Sequence, residues 1–208
     1  MALRPSLSFL RIGSPTAPHT LEFWLDYVCP FSAKLFINAL DPIIKPAVTN
    51  EDGHLKDRVK VIIRLQVQPW HASSTLTHEA AIAVGRVAPE SFWDYTLLLL
   101  KRQTEFFDRA VADLTPTEIR KKLVALAGEV PSIDKSKLPT ILDHLTYKTT
   151  PNGGVDVTDD LKWNVKLGRQ NGIHVSPTAI WDGVIQPDVS SSWAQAEWSK
   201  FLLDNVKA

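Results

Sequence analysis

The sequence predicts a single α/β domain over residues 1–208, with a parallel strand–helix–strand unit at the front and a helix–strand–hairpin–helix segment at the back. Three observations carry this. A short aromatic-rich apolar run at 21–25 is followed by a helical pattern at 33–40 and a second apolar strand at 59–67. Apolar residues three and four apart then fill 76–87, 91–107, 117–127 and 137–145. A last helical pattern at 159–170 precedes a short strand at 178–181 and a closing helix at 193–206. No repeat or low-complexity tract interrupts this order. The helical block therefore reads as an insertion of about 71–150 into a core of about 20–70 and 155–206.

Taken in order, the chain opens on a proline-bearing leader that ends near Gly13-Ser14-Pro15. Leu21-Glu22-Phe23-Trp24-Leu25 reads as a buried strand running straight into Asp26-Tyr27-Val28-Cys29-Pro30. Pro30 suits a first helical turn, where its missing N–H leaves nothing unpaired, so Cys29 falls at a strand-to-helix junction. Asn50-Glu51-Asp52-Gly53 is turn-like, and the second strand follows at the spacing of a right-handed β-α-β crossover. Inside the insertion, Thr115-Pro116-Thr117-Glu118 supplies an N-cap and an early acid for a helix start. Asn171-Gly172 closes the penultimate helix, and Asp182-Gly183 turns the last strand into a hairpin.

Composition removes several function classes. With 44% hydrophobic and 22% charged residues the chain can build a sizeable core, and 23 Lys+Arg against 23 Asp+Glu leave no net field to draw nucleic acid or an anionic membrane. The single cysteine forbids an intrachain disulfide or a cysteine-rich metal site and suits a reducing compartment. MALRPSLSFLRIG has no apolar core followed by a small-residue cleavage site, and nowhere do about twenty apolar residues run together. The expectation is a soluble, cytoplasmic protein. Phosphate-binding Gly-rich loops, metal-ligand spacings and a Gly-x-Ser-x-Gly elbow are all missing from the sequence, which sets aside nucleotide, metal and serine-hydrolase readings.

A lone cysteine is by default a small buried hydrophobe. Cys29 has a different setting, because a thiol at the first turn of a helix feels unpaired backbone N–H groups and the positive end of the dipole, which favour thiolate. Ser32 stands one helical turn on, where its hydroxyl can donate to that thiolate or to one held by a ligand, but it cannot form a disulfide.

Asp26-Tyr27-Val28-Cys29-Pro30-Phe31-Ser32 resembles the active-site segment of DsbA-like thioredoxin-fold proteins. The branch it is most similar to contains FrnE-like proteins, kappa-class glutathione transferases and 2-hydroxychromene-2-carboxylate isomerases. Gly172-Ile173-His174-Val175-Ser176-Pro177-Thr178 resembles the loop in which a cis-proline, here Pro177, packs beside the active-site helix, and the resemblance extends over about 20–206. It implies a thioredoxin fold with an inserted helical subdomain, glutathione as cofactor, a small-molecule substrate and a homodimer. Pro30, Phe31 and Ser176 would contact the ligand, Ser176 through its main chain. The dithiol pair is reduced to Cys-x-x-Ser, so oxidase and isomerase roles on disulfides lack a resolving thiol. Transferases and isomerases of the branch commonly carry serine where Cys29 stands.

Other residues carry two readings each. His71, after Gln68-Pro69-Trp70, follows a strand whose carboxyl end opens on the side of Cys29, and can act as a general base or sit on the surface. His174 can reach the same cleft from three residues before Pro177. Asp26 shuttles protons near Cys29 or accepts backbone N–H bonds. Asp188, with Ser190, Ser191 and Ser192, lies where glutathione-binding relatives contact the γ-glutamyl group, or caps the last helix. Trp70, Phe92, Trp93, Tyr95, Phe106 and Phe107 pack in the core or line an apolar substrate pocket. The expected function is a glutathione-associated transferase or isomerase acting on a small apolar electrophile, or a monothiol oxidoreductase. The alternatives are a cleft reused for binding or for a biosynthetic step on a hydrophobic molecule.

Overall fold

Two strands too apolar to face water set the architecture. In the computed structural model, which describes residues 3–206, β1 (Arg11–Ile12), β2 (His19–Leu25), β3 (Val59–Leu65), β4 (Thr178–Trp181) and β5 (Val184–Ile185) form one sheet in the order β1-β3-β2-β4-β5. Met1, Ala2, Lys207 and Ala208, which the single-domain span included, lie outside the described residues. β2 is central and buried on both faces, which is why apolar Leu21, Phe23 and Leu25 on one face and Trp24 on the other fall in one short run that only Glu22 interrupts. It pairs parallel with β3, Leu25 opposite Leu65, and antiparallel with β4, Trp24 opposite Thr178. The carboxyl ends of β2 and β3 and the amino end of β4 therefore share one edge of the sheet.

From β2 the chain enters α1 (Pro30–Leu35) and continues through a π-helical stretch, Phe36–Ile44, into α2 (Lys45–Thr49). Pro42 lies inside the π stretch and Pro46 inside α2. A helix-interior proline has no N–H and crowds the carbonyl one turn back; wider winding relieves that crowding. The insertion comprises α3 (Ser74–Val87), α4 (Phe92–Lys101), α5 (Asp108–Val111), α6 (Pro116–Ala127) and α7 (Leu138–Asp143). The single periodic block expected at 91–107 is broken: α4 ends at Lys101 and a separate 3₁₀ turn, Gln103–Phe106, follows. α6 starts where the sequence predicts, with Glu118 N–H donating to Thr115 Oγ1 at 3.2 Å and Thr115 N–H donating to Glu118 Oε2 at 2.8 Å.

α8 (Thr158–Gln170) covers the sheet face that carries Trp24 and Arg64, and α9 (Gln195–Asn205) the face that carries Phe23 and Trp181. A Cβ at Gly168 would stand 3.0 Å from the Trp24 ring and from Gln66 Oε1, so glycine lets α8 approach this closely without displacing a neighbour. On the other face Phe23 meets Trp198 edge-on at 5.8 Å. Trp193, expected to begin the last helix, precedes it and packs on Trp198. Asp182 and Gly183 both have positive φ, as the tight β4–β5 hairpin requires. Among the described residues no helix is long and apolar enough to cross a membrane.

The proline-bearing leader is a structural element. Pro5–Leu10 winds into 3₁₀ turns that bury Leu7 and Leu10, and β1 adds antiparallel to β3. A two-residue strand and a proline-led turn have no apolar period, so sequence pattern passes over them.

Between the sheet and α8 lies a fully buried ion pair: Arg64 Nε donates to Glu22 Oε2 at 2.6 Å, and the guanidinium also faces the Trp24 and Trp163 rings. Removing one charge strands the other in an apolar layer, whereas removing both removes the desolvation cost. Glu22→Gln should therefore destabilise the protein by about 3–5 kcal/mol, and the double variant Glu22→Leu/Arg64→Met should be near neutral or stabilising. Urea unfolding of the three proteins checks this.

Candidate functional site

The shared sheet edge brings three backbone segments together: residues 26–29 leaving β2, residues 66–71 leaving β3 and residues 173–177 entering β4. Cys29 is the N-cap of α1, in extended conformation, and only 6% exposed. Its Sγ donates to the Ser176 carbonyl at 3.3 Å, and the Ser176-Pro177 peptide is cis. Pro30 takes the first helical position, and Phe31 beside it is 62% exposed. Ser32 is buried, and its Oγ accepts the Asp26 N–H at 3.2 Å, which closes the Cys29 turn on itself. The expected hydrogen bond from Ser32 to the sulfur is not among those formed. The strand-end backbone needs an acceptor for its N–H, and the serine supplies it.

Asp26 organises the turn. Its carboxylate is fully buried; Oδ1 accepts the Val28 N–H at 3.0 Å, and Oδ2 accepts the Gln68 N–H at 3.1 Å and lies 2.9 Å from His71 Nδ1. Its own carbonyl takes the Cys29 N–H at 3.1 Å. His78 of α3, equally buried, places Nε2 3.9 Å from Asp26 Oδ1 and packs on the Tyr27 ring. Burial holds the His78 imidazole below its usual value, against the opposing pull of the Asp26 carboxylate and the Gln66 backbone. The Tyr27 phenol is driven far up by burial, although its hydroxyl bonds Thr96.

Two glutamines complete the frame. Gln68 Nε2 donates to Ser176 Oγ at 3.2 Å, tying the loop after β3 to the one before β4. Gln103, from the 3₁₀ turn after α4, donates to the Tyr27 carbonyl at 2.9 Å and to the Cys29 carbonyl at 3.3 Å. Sequence reasoning missed both. Gln68 sits beside the noted Trp70 and His71, but Gln103 lies 74 residues from Cys29 with no local signal.

Two clefts flank this frame. One, of about 330 Å³, is lined by Val28, Pro30, His71, Phe106, Phe107 and Arg109. The other, of about 300 Å³, is lined by Gln68, Trp70, Arg169 and His174 among others. His71 thus faces the insertion side, and Trp70 and His174 the α8 side. Asp188 joins neither, lining a third cleft against α9. Nor does it cap that helix, because Glu197 accepts the Ala194 N–H at the N-cap. Of the aromatic residues of the insertion, Phe92, Trp93, Tyr95 and Phe106 are buried and Phe107 is partly exposed.

The model of a protein family described as Thioredoxin matches residues 8–204. Among solved structures, a candidate protein-disulfide isomerase from Pseudomonas syringae is 27% identical, with a TM-score of 0.72 over 95% of this chain and 99% of that one. Oxidised BdbD from Bacillus subtilis is 22% identical, with a TM-score of 0.66 over 96% and 93%. A thioredoxin-like oxidoreductase from Silicibacter pomeroyi is 17% identical, with a TM-score of 0.59 over 100% and 99%. No curated protein matches the sequence.

The depressed His78 gives a pH dependence of known sign. Below about pH 6.5 the unfolded chain protonates this ring while the folded chain resists, so stability present above that pH is lost as pH falls. The urea midpoint should drop between about pH 7.5 and 5.5, and part of that slope should vanish in His78→Gln, measured as the difference between the two proteins at each pH.

Proposed function

Because this chain belongs to the thioredoxin family, we propose that it is a single-thiol exchange enzyme whose Cys29 forms and releases mixed disulfides. The observation that carries the reading is Cys29 Sγ held 3.3 Å from the Ser176 carbonyl, at the start of α1 and against the cis-proline loop. The sulfur stands where the helix begins, and the loop offers main-chain groups to an extended ligand. The Cys29 thiolate attacks one sulfur of an external disulfide; that S–S bond breaks as the new one forms, and the other half leaves as thiolate. With no second cysteine in the chain, a second external thiolate attacks the mixed disulfide and restores Cys29. Glutathione is the small thiol that fits this cycle, and the cytoplasm is a compartment that supplies it.

The relative from Pseudomonas syringae supports disulfide exchange as the chemistry, and Cys-x-x-Ser restricts it to monothiol steps. A second reading, isomerisation or transfer on a small apolar electrophile, is favoured by His71, which the Asp26 carboxylate orients toward the largely apolar cleft beside Pro30.

Incubation with oxidised glutathione followed by intact-mass measurement tests the exchange. The expected result is one glutathione adduct per chain, reversed by dithiothreitol and lost in Cys29→Ala. A wild-type protein that stays unmodified at millimolar oxidised glutathione overturns it.

A further inference from the structure

The balanced charge of the whole chain conceals a local excess. Lys162, Lys166 and Arg169 recur four and three residues apart on α8, so they share one face, and all three are exposed. Lys162 has a partner, Asp159 at 3.4 Å, whereas Lys166 and Arg169 have no acidic partner among the described residues. Beneath them run two adjoining clefts that share Val67, Val165 and Arg169: the one holding Trp70 and His174, about 300 Å³, and a second of about 310 Å³ reaching Lys162 and Lys166. Among the described residues, no carboxylate lines the first. The second is lined by one, Glu79, which is 4% exposed and already bound by Arg120 at 2.7 Å.

This groove ends at the reactive centre. Gln68 lines it and hydrogen-bonds Ser176, whose carbonyl holds Cys29 Sγ, and His174 stands two residues before that serine. The floor is apolar, at Val67, Val165 and the 60% exposed Trp70, while the rim is cationic. We propose that the α8 groove docks an extended acidic polypeptide segment, so that a disulfide-bearing protein is selected by acidic residues flanking its cysteine. The proposal rests on the exchange reading and adds the substrate class. From Lys162 to Arg169 the helix advances about 10 Å, which about three extended residues span. Two or three carboxylates next to one apolar side chain match the rim and floor.

The test separates docking from exchange. Two fluorescein-labelled peptides of about twelve residues are compared by anisotropy, one with a Glu-Glu-Leu-Asp block and one with Lys-Lys-Leu-Lys, each carrying serine where a cysteine would react. The acidic peptide should bind saturably and lose affinity about fivefold or more between about 20 and 200 mM salt, and the basic peptide should not bind. Lys166→Gln/Arg169→Gln should weaken the acidic peptide about three- to tenfold at unchanged circular dichroism. Equal binding of both peptides, no binding of either, or indifference to the double variant overturns the groove while leaving exchange at Cys29 standing. Loss of glutathionylation in the wild type would overturn exchange itself.

Discussion

The carboxylate of Asp26 is buried where the chain leaves β2, and its oxygens accept N–H groups that the departing backbone and the adjacent loop would otherwise leave unpaired. Val28 N–H is fixed by one oxygen, Gln68 N–H and the His71 ring by the other. Left buried without this acceptor, each such donor would cost about 1–3 kcal/mol, a sizeable share of a domain's stability, so the carboxylate fixes how the loops after β2 and β3 meet. The position of Cys29 follows from this constraint, since its own N–H is anchored on the Asp26 carbonyl and its sulfur reaches the loop that Gln68 ties down.

The same anchoring divides the surroundings of the thiol. On the insertion side His71 faces a cleft walled by Phe106 and Phe107; on the α8 side Trp70 and His174 face one lined by Arg169, which adjoins the cleft of Lys162 and Lys166. The hydrogen bond from Gln68 to Ser176 belongs to the frame between them. A ligand joined to Cys29 therefore meets two chemically different walls, apolar and basic, and the choice between small electrophile and acidic polypeptide is a choice between them.

Burial also explains the roles taken by polar groups inside the protein. Arg64 and Glu22 offset each other's desolvation only as a pair, burial disfavours the charged form of His78, and Ser32 caps a turn because its hydroxyl has a backbone donor to satisfy. None of these partnerships joins neighbours in sequence.

By itself the sequence determined the features whose causes are local. The β2–α1–β3 order, the Thr115-Glu118 helix start, the Asp182-Gly183 turn and the place of Cys29 at a helix N-terminus follow from apolar period, proline and capping chemistry within a few residues. Only the tertiary structure decided what depends on contacts far apart in the chain. The leader became 3₁₀ turns and an edge strand because Leu7 and Leu10 found a core; the helix after Cys29 widened around Pro42. Gln103 reached the Cys29 turn across 74 residues, Asp188 was carried to a different cleft, and three α8 cations in a neutral chain came to line one groove. A carboxylate or an amide acquires its role from the partner that burial forces on it, and that partner is chosen by packing in three dimensions.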